Sequence, residues 1–310
     1  MTSFKPSQPE PQQKQHLKAI LQALLVTFLW STSWVLVKFG LQDIPAFTFA
    51  GLRYSLAFLI LLPVFMRSGQ SRLLPQLTRK QWGMLMLLGL VYYTITQGTQ
   101  FLGLKLLPAI TFSLLLNMSA PLVALLSIPL LKELPTRLQW MGIGIFLTGV
   151  LVYFYPAGIG AGMTLGLLVG LASVAATSSA SIIGRGINRL GQIPPLTVTV
   201  VSMGLGGGLL LLLGWLVESP PQLGLAQWGI VLWLALVNTA FAFTLWNHTL
   251  RFLSATESSM INNTMLVQIA ILAWIFLGER PGVPQLVGMA LALAGTLLVN
   301  LKPTPKNPSN

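Results

Sequence analysis

The chain has no cysteine, and only 6 of its 310 residues are Asp or Glu, against 18 Lys or Arg and 2 His. Without cysteine there are no disulfides, no thiolate-held iron–sulfur cluster and no thiol nucleophile. So few carboxylates and imidazoles leave no metal-ligand cluster, no paired intramembrane carboxylates and no nucleophile–base motif. The sequence therefore argues against a membrane enzyme and calls for no cofactor. Charged residues of either sign make up 8% of the chain, whereas 54% are apolar and the mean hydropathy is +0.76. A soluble globular domain does not have this composition.

What is present is a series of long apolar runs. A helix needs about 20 apolar residues to cross roughly 30 Å of hydrocarbon. Ten runs of that kind can be marked, at about 19–40, 47–66, 82–103, 109–131, 137–155, 163–184, 195–217, 226–248, 257–277 and 283–301. Transmembrane β-strands would be shorter and strictly alternating. The expected fold class is an all-α membrane protein with ten transmembrane helices arranged as two inverted five-helix repeats. The first run is too long for a secretory h-region and is read as a retained helix. Residues 1–16 and 303–310, polar and proline-bearing, read as disordered tails.

Fourteen of the 18 Lys and Arg fall in the tails and alternate loops on one side, while Lys38, Lys105 and Arg280 fall on the other and Arg53 lies within a span. This is the positive-inside pattern, which places both termini in the cytoplasm of a cell that carries the chain in its plasma (inner) membrane. The net charge of +12 thus reports topology and a lipid-bilayer partner, with no nucleic acid implied.

The second half repeats the first at an offset of 146 residues. Gln81, Trp82 and Gly83 fall on Gln227, Trp228 and Gly229, and Asn117 falls on Asn263. Glu133, Pro135, Gln139, Gly142 and Gly149 fall on Glu279, Pro281, Gln285, Gly288 and Gly295. An odd number of spans in each copy turns one copy upside down relative to the other, as in many secondary transporters. The repeats are expected at 17–156 and 157–302.

Polar side chains deep in a span are costly and so are informative. The third span carries Tyr92, Tyr93, Thr96, Gln97 and Gln100, with residues four apart sharing a face. Span four adds Asn117, span eight Asn238 and Trp246, span nine Asn263 and Gln268, and span one Trp30. Matching depth in both copies points to a substrate-binding cavity lined by these eleven residues, with interhelical glue as the bland alternative. The glycine, alanine and serine stretches of spans six and seven read as close helix packing, with substrate lining by Ser173 or Thr177 as the alternative.

Four residues are read as structural or gating. Arg53 is expected to pair with Asp43, and a clamp on a substrate carboxylate is the competing role. Pro121 is expected to kink span four, and because its counterpart is Val267 the kink should be asymmetric. Glu133 and Glu279 read as interfacial charges that end helices and set topology, with gating as the alternative. No carboxylate lies at the centre of a span. Proton or counter-substrate coupling stays open, with His248 and Glu257 as a conceivable titrating pair and a capped helix end as the simpler reading.

The run Lys105, Leu106, Leu107, Pro108, Ala109, followed by Asn117, Pro121, Lys132, Glu133, Gln139, Gly142 and Gly149, resembles the EamA-type drug/metabolite transporter family. Its echo does too: Arg251, Phe252, Leu253, Ser254, Ala255, then Gly278, Glu279, Arg280, Gln285, Gly288 and Gly295. Trp30 with Lys38, and Arg53, are similar to that family as well. The chain departs from it in lacking a second copy of Pro121 and in having Lys132 where a glycine is usual. The resemblance implies export or exchange of small neutral or zwitterionic metabolites, such as amino acids, through a central cavity between spans three, four, eight and nine. A non-transporting membrane receptor or scaffold is the alternative function.

Overall fold

A computed structural model describes residues 11–131, 135–155 and 161–300. Lys132, Glu133, residues 1–10 and the tail 303–310 lie outside the described residues. Among the described residues, every regular element is helical: α1 Pro11–Gly40, α2 Ala46–Arg67, α5 Arg137–Phe154, α6 Thr164–Leu190, α7 Pro195–Val217 and α10 Val283–Asn300 are single helices. The other four are interrupted. α3 runs as Arg79–Leu88, a π segment Gly89–Thr96 and Gln97–Leu106. α8 repeats that pattern as Leu225–Ala235, a π segment Leu236–Phe241 and Ala242–Thr249. α4 is divided into Ala109–Asn117 and Ser119–Leu131, and α9 into Ala255–Asn263 and Met265–Leu277.

Nine helices among the described residues are long and apolar enough to cross a membrane. α3 falls short of that apolarity because Tyr92, Tyr93, Thr94, Thr96, Gln97 and Gln100 crowd its middle. One boundary is corrected. Residues 11–16, read as part of a disordered tail, form the first turns of α1. His16 lies 3.2 Å from the Phe252 carbonyl and 3.0 Å from a Glu257 carboxylate oxygen, which ties that end of α1 to the α8–α9 connection.

The interruptions fall at equivalent places in the two halves. The π segments overlap under the 146-residue offset, and the breaks after Asn117 and Asn263 coincide. A π turn leaves a backbone carbonyl short of its usual partner. In each case a threonine hydroxyl supplies one, Thr96 bonding the Val91 carbonyl at 2.8 Å and Thr239 the Leu234 carbonyl at 2.8 Å. The asymmetric kink expected at Pro121 is corrected by the matching break in α9. Pro121 has no N–H to return to the Asn117 carbonyl. In α9 the same effect arises without proline, because the Val267 N–H tightens onto Thr264, three residues back, at 3.1 Å.

Glycine sets the closest helix contacts. α5 and α10 cross antiparallel, and a β-carbon on Gly142 would stand 2.7 Å from the Gly295 carbonyl oxygen. One on Gly149 would stand 2.6 Å from that of Gly288, and the reverse pairings are equally tight. Under the offset, Gly142 corresponds to Gly288 and Gly149 to Gly295, so the contact is reciprocal. α2 and α7 pack the same way, with Gly51 against the Leu211 backbone and Gly214 against that of Thr48. Close backbone approach of this kind takes the place of the hydrophobic effect, which is weak between helices in lipid.

Helix ends gather at two poles. At the pole where α1 begins and α10 ends, Gln139 donates to the Val299 carbonyl at 3.1 Å and Gln81 to Gln192 at 3.0 Å. At the opposite pole two carboxylates cap helix N-termini from a neighbouring helix. Glu218, after α7, accepts from the Phe47 and Thr48 amides of α2 at 3.0 and 2.8 Å. Glu279, after α9, accepts from the Ala109 and Ile110 amides of α4 at 2.6 and 2.9 Å. Gly278, with φ of 68°, ends α9 in the left-handed region that favours glycine, and so the chain turns to bring Glu279 onto α4. Both carboxylates satisfy amides left over at a helix start and favour its positive dipole end.

Two outcomes follow. Gly149→Val should lower the stability of detergent-purified protein by about 1–3 kcal/mol through overpacking, whereas Gly144→Ala, with nothing within 4 Å of its β-carbon, should leave the melting temperature unchanged. Glu279→Ala should cost roughly 1 kcal/mol as a lost cap, and Glu279→Gln should recover part of that loss; thermal unfolding followed by tryptophan fluorescence reads all four.

Candidate functional site

A cavity of about 540 Å³ lies between α1, α2, α3, α4, α6, α8, α9 and α10. Its walls are helix faces with regular spacing. α1 contributes Trp30, Ser33, Trp34 and Val37, and α3 contributes Gln97, Gln100, Phe101 and Leu104. Each set steps by three, four and seven residues, the spacing of one helical stripe. α4 and α9 meet the cavity at their breaks, through Asn117, Ser119 and Ala120 on one side and Asn262, Asn263 and Met265 on the other. The carbonyl end of one half-helix and the N–H end of the next therefore adjoin the cavity at both breaks.

The eleven sequence-derived binding residues divide into two groups. Trp30, Tyr92, Gln97, Gln100, Asn117 and Asn263 line the cavity. The Gln97 oxygen accepts from the Tyr54 hydroxyl at 2.6 Å, leaving its amide nitrogen as the donor for a ligand. Asn117 donates back to the Ser113 carbonyl at 2.8 Å, leaving its oxygen free to accept. Asn263 is buried, and its amide nitrogen has no hydrogen-bond partner among the described residues.

Tyr93, Thr96, Asn238, Trp246 and Gln268 stand outside the lining. Tyr93 packs edge-on to Tyr54 and Tyr92, with ring centroids 5.5 and 4.8 Å away. Thr96 serves the π turn. Asn238 donates to the Leu29 carbonyl and to Thr32 of α1. Trp246 sits behind Trp30, with centroids 5.3 Å apart. Gln268 accepts from Ser31 at 2.9 Å and reaches Thr264 at 3.0 Å, joining α9 to α1. These five share helices with lining residues, but their angular position about the helix axis turns them to an adjacent helix.

Of the structural residues, Arg53 lines the cavity and Pro121 lies in the first turn of the second half of α4, Ser119–Leu131. The expected Arg53–Asp43 pair does not form. Asp43 accepts from Gln227 at 2.8 Å, and Arg53 donates from Nε to Thr239 at 3.0 Å. Asp43 is in the connection after α1, whereas Arg53 stands two turns inside α2. The suggested His248–Glu257 pair is also absent. Glu257 closes a capping box with Ser254 and pairs with His16, and His248 packs on Phe252.

Sequence reasoning missed Tyr54, Trp34, Phe243, Asn262, Thr296 and Asn300 as lining residues. Trp34 carried a usable signal, being one turn from Trp30. Tyr54 carried another as the neighbour of Arg53, whose guanidinium lies 5.2 Å from its ring centre. Thr177, given packing as its first reading, also lines the cavity.

The two ends of the cavity differ. Val37, Phe101 and Leu104, towards the pole with the Glu218 and Glu279 caps, are at most 4% exposed. Ser181 is exposed and Ser259 and Asn300 are half-buried towards the pole where α1 begins and α10 ends. A second hollow of about 500 Å³ lies between α9 and α10, bounded by Val267, Ile271, Trp274 and Leu286, and is apolar apart from Arg280 at its edge. It lacks the polar groups that orient a ligand. Among the described residues no three His, Asp or Glu side chains gather as a metal site requires.

The comparisons with known proteins agree with this architecture. The model of the EamA-like transporter family matches twice in tandem, over residues 17–155 and 164–301. An uncharacterized transporter of Archaeoglobus fulgidus is 25% identical over 295 residues, covering 92% of this chain and 98% of that protein. An S-adenosylmethionine/S-adenosylhomocysteine transporter of Chlamydia trachomatis is 26% identical over 286 residues, covering 87% and 86% respectively. A solved crystal structure superposes with a TM-score of 0.66 at 19% identity, over 92% of this chain and 97% of its own, which speaks to the fold alone. This multi-pass membrane protein belongs to the EamA-like transporter family.

Proposed function

We propose that the chain is a secondary transporter that moves small neutral or zwitterionic metabolites, amino acids or similar amphipathic solutes, out of the cell by alternating access. In this reading all ten helices cross the plasma (inner) membrane, α3 included, as two inverted repeats at 17–156 and 157–302. Both termini lie in the cytoplasm. The reciprocal Gly142–Gly295 and Gly149–Gly288 contacts and the matched interruptions of α3 with α8 and α4 with α9 support that symmetry. The basic residues of the loops support the orientation.

The observation that carries the reading is the cavity itself. Broken helices are tolerated at membrane depth where they border a water-filled space, and both breaks here border the cavity, which favours a wet site. Trp30, Tyr92 and Trp34 offer aromatic surface, while Gln97, Gln100, Asn117 and Asn263 offer hydrogen bonds to a polar head. With the end near the chain termini accessible, solute would load from the cytoplasm. Release on the other side would require the ties at the opposite pole to part, namely those of Glu218 and Glu279 and the Gln227–Asp43 bond. The π segments of α3 and α8 are the natural places for the bend, since such irregular turns recur at functional sites. The Chlamydia trachomatis relative is an S-adenosylmethionine/S-adenosylhomocysteine transporter, which favours a small metabolite as the solute here.

Proteoliposome exchange of labelled amino acids tests this. Losing one hydrogen bond to a solute should reduce apparent affinity about three- to tenfold, and this is the change expected for Asn117→Ala and Asn263→Ala. Leu151→Ala, on a side chain 72% exposed on the outer surface, should behave as wild type. A folded, reconstituted protein that exchanges no solute of a broad metabolite panel would turn the reading towards a receptor.

A further inference from the structure

We infer that the cavity recognises its solute through a single carboxylate, held by Arg53. The inference rests on the reading of this cavity as the transport site and names the chemical class that the site selects.

Arg53 is 5% exposed and lines the cavity from two turns inside α2. A charge taken out of water needs an opposite charge or a wet cavity. The described carboxylates are all engaged elsewhere. Asp43 accepts from Gln227, Glu218 caps α2, Glu257 pairs with His16, and Glu279 caps α4. None of them lines the cavity. Thr239 is the one hydrogen-bond partner of the Arg53 guanidinium among the described residues. A guanidinium has five N–H donors, so the outer fork is left for a ligand. Thr239 is itself fixed, its hydroxyl donating to the Leu234 carbonyl at 2.8 Å, so that its lone pair is what Nε meets. The Tyr54 ring, 5.2 Å away, holds the guanidinium further. The planar fork is thereby presented, and carboxylate is the group whose two oxygens match it.

The remaining lining groups agree. The Trp30 indole N–H, the Thr177 hydroxyl and the Asn263 amide nitrogen are buried without partners among the described residues, and all three belong to the cavity wall. A site with one cation, several unused donors and no described carboxylate is complementary to a ligand that brings acceptors and one negative charge. A dianion would leave a charge uncompensated. Amides suit the rest of a zwitterion, because Asn117 and Gln100 oxygens accept from an ammonium group without burying a second fixed charge.

Matched ligand pairs test this without altering the protein. L-Methionine and L-leucine are compared with L-methioninamide and L-leucinamide, with adenosine as a solute that has no carboxylate, by thermal shift in detergent and by exchange in proteoliposomes. The acids should bind about ten- to a hundredfold more tightly than their amides, the range for a charge-assisted hydrogen-bonded contact. Arg53→Gln should erase the difference by weakening the acids alone, Arg53→Lys should keep part of it, and Thr239→Val should narrow it. Equal binding of acids and amides by the wild-type protein would overturn the inference. So would exchange of adenosine with neither acid, and both results leave the transporter reading standing. Absence of binding and exchange for every solute would overturn both. An Arg53→Gln protein that folds and keeps the acid preference would overturn the role of Arg53.

Discussion

Hydrocarbon offers no partner to a backbone amide or carbonyl, so a membrane helix can be broken only where something else takes up the freed groups. That constraint organises this molecule. α4 and α9 break at Asn117 and Asn263, and both breaks border the central cavity; α3 and α8 widen into π turns whose freed carbonyls are taken by Thr96 and Thr239. Three of these helices, α3, α4 and α9, bring all the amide side chains but that of Asn300 to the cavity, while α8 reaches it only through Phe243. Irregular backbone and functional side chains coincide because each needs the space that the other provides.

The packing around that space follows from a second constraint. Apolar helices gain little by leaving lipid for one another, and so backbones must come close for contact to be favourable. Gly142, Gly149, Gly288 and Gly295 allow this between α5 and α10, and Gly51 and Gly214 allow it between α2 and α7. Charge is handled with similar economy. Each described carboxylate serves a helix end, a loop bond or a surface pair, and Arg53 is the one buried cation among the described residues, at the cavity wall.

Much of this was legible in the sequence. Long uncharged runs announced the helices, and the positions matched at an offset of 146 residues recur in the paired breaks and the reciprocal glycine contact. Spacing also put Trp30, Gln97 and Gln100 on faces that meet the cavity. What stayed hidden depends on rotation and distance. Asn238 is as polar as Asn263, yet it turns to α1 and is spent there. The break in α9 needs no proline, so it had no residue signature. Arg53 and Asp43 suggested a pair by charge alone, but Gln227 reaches Asp43 first. A sequence pattern fixes which helix a side chain belongs to more firmly than it fixes the partner that side chain finds.

The native absence of cysteine makes the most direct test simple, since every introduced thiol is unique. Single cysteines at positions 117, 259 and 263 of the cavity wall, and at lipid-facing positions 151 and 275, would be treated in sealed vesicles with a charged, membrane-impermeant thiol reagent applied from either side. Labelling of the three cavity positions from the cytoplasmic side, with positions 151 and 275 unreactive, is the expected result for a wet central cavity between inverted halves. Reagent that reaches none of the cavity positions from either side, or reaches them no better than positions 151 and 275, would contradict it.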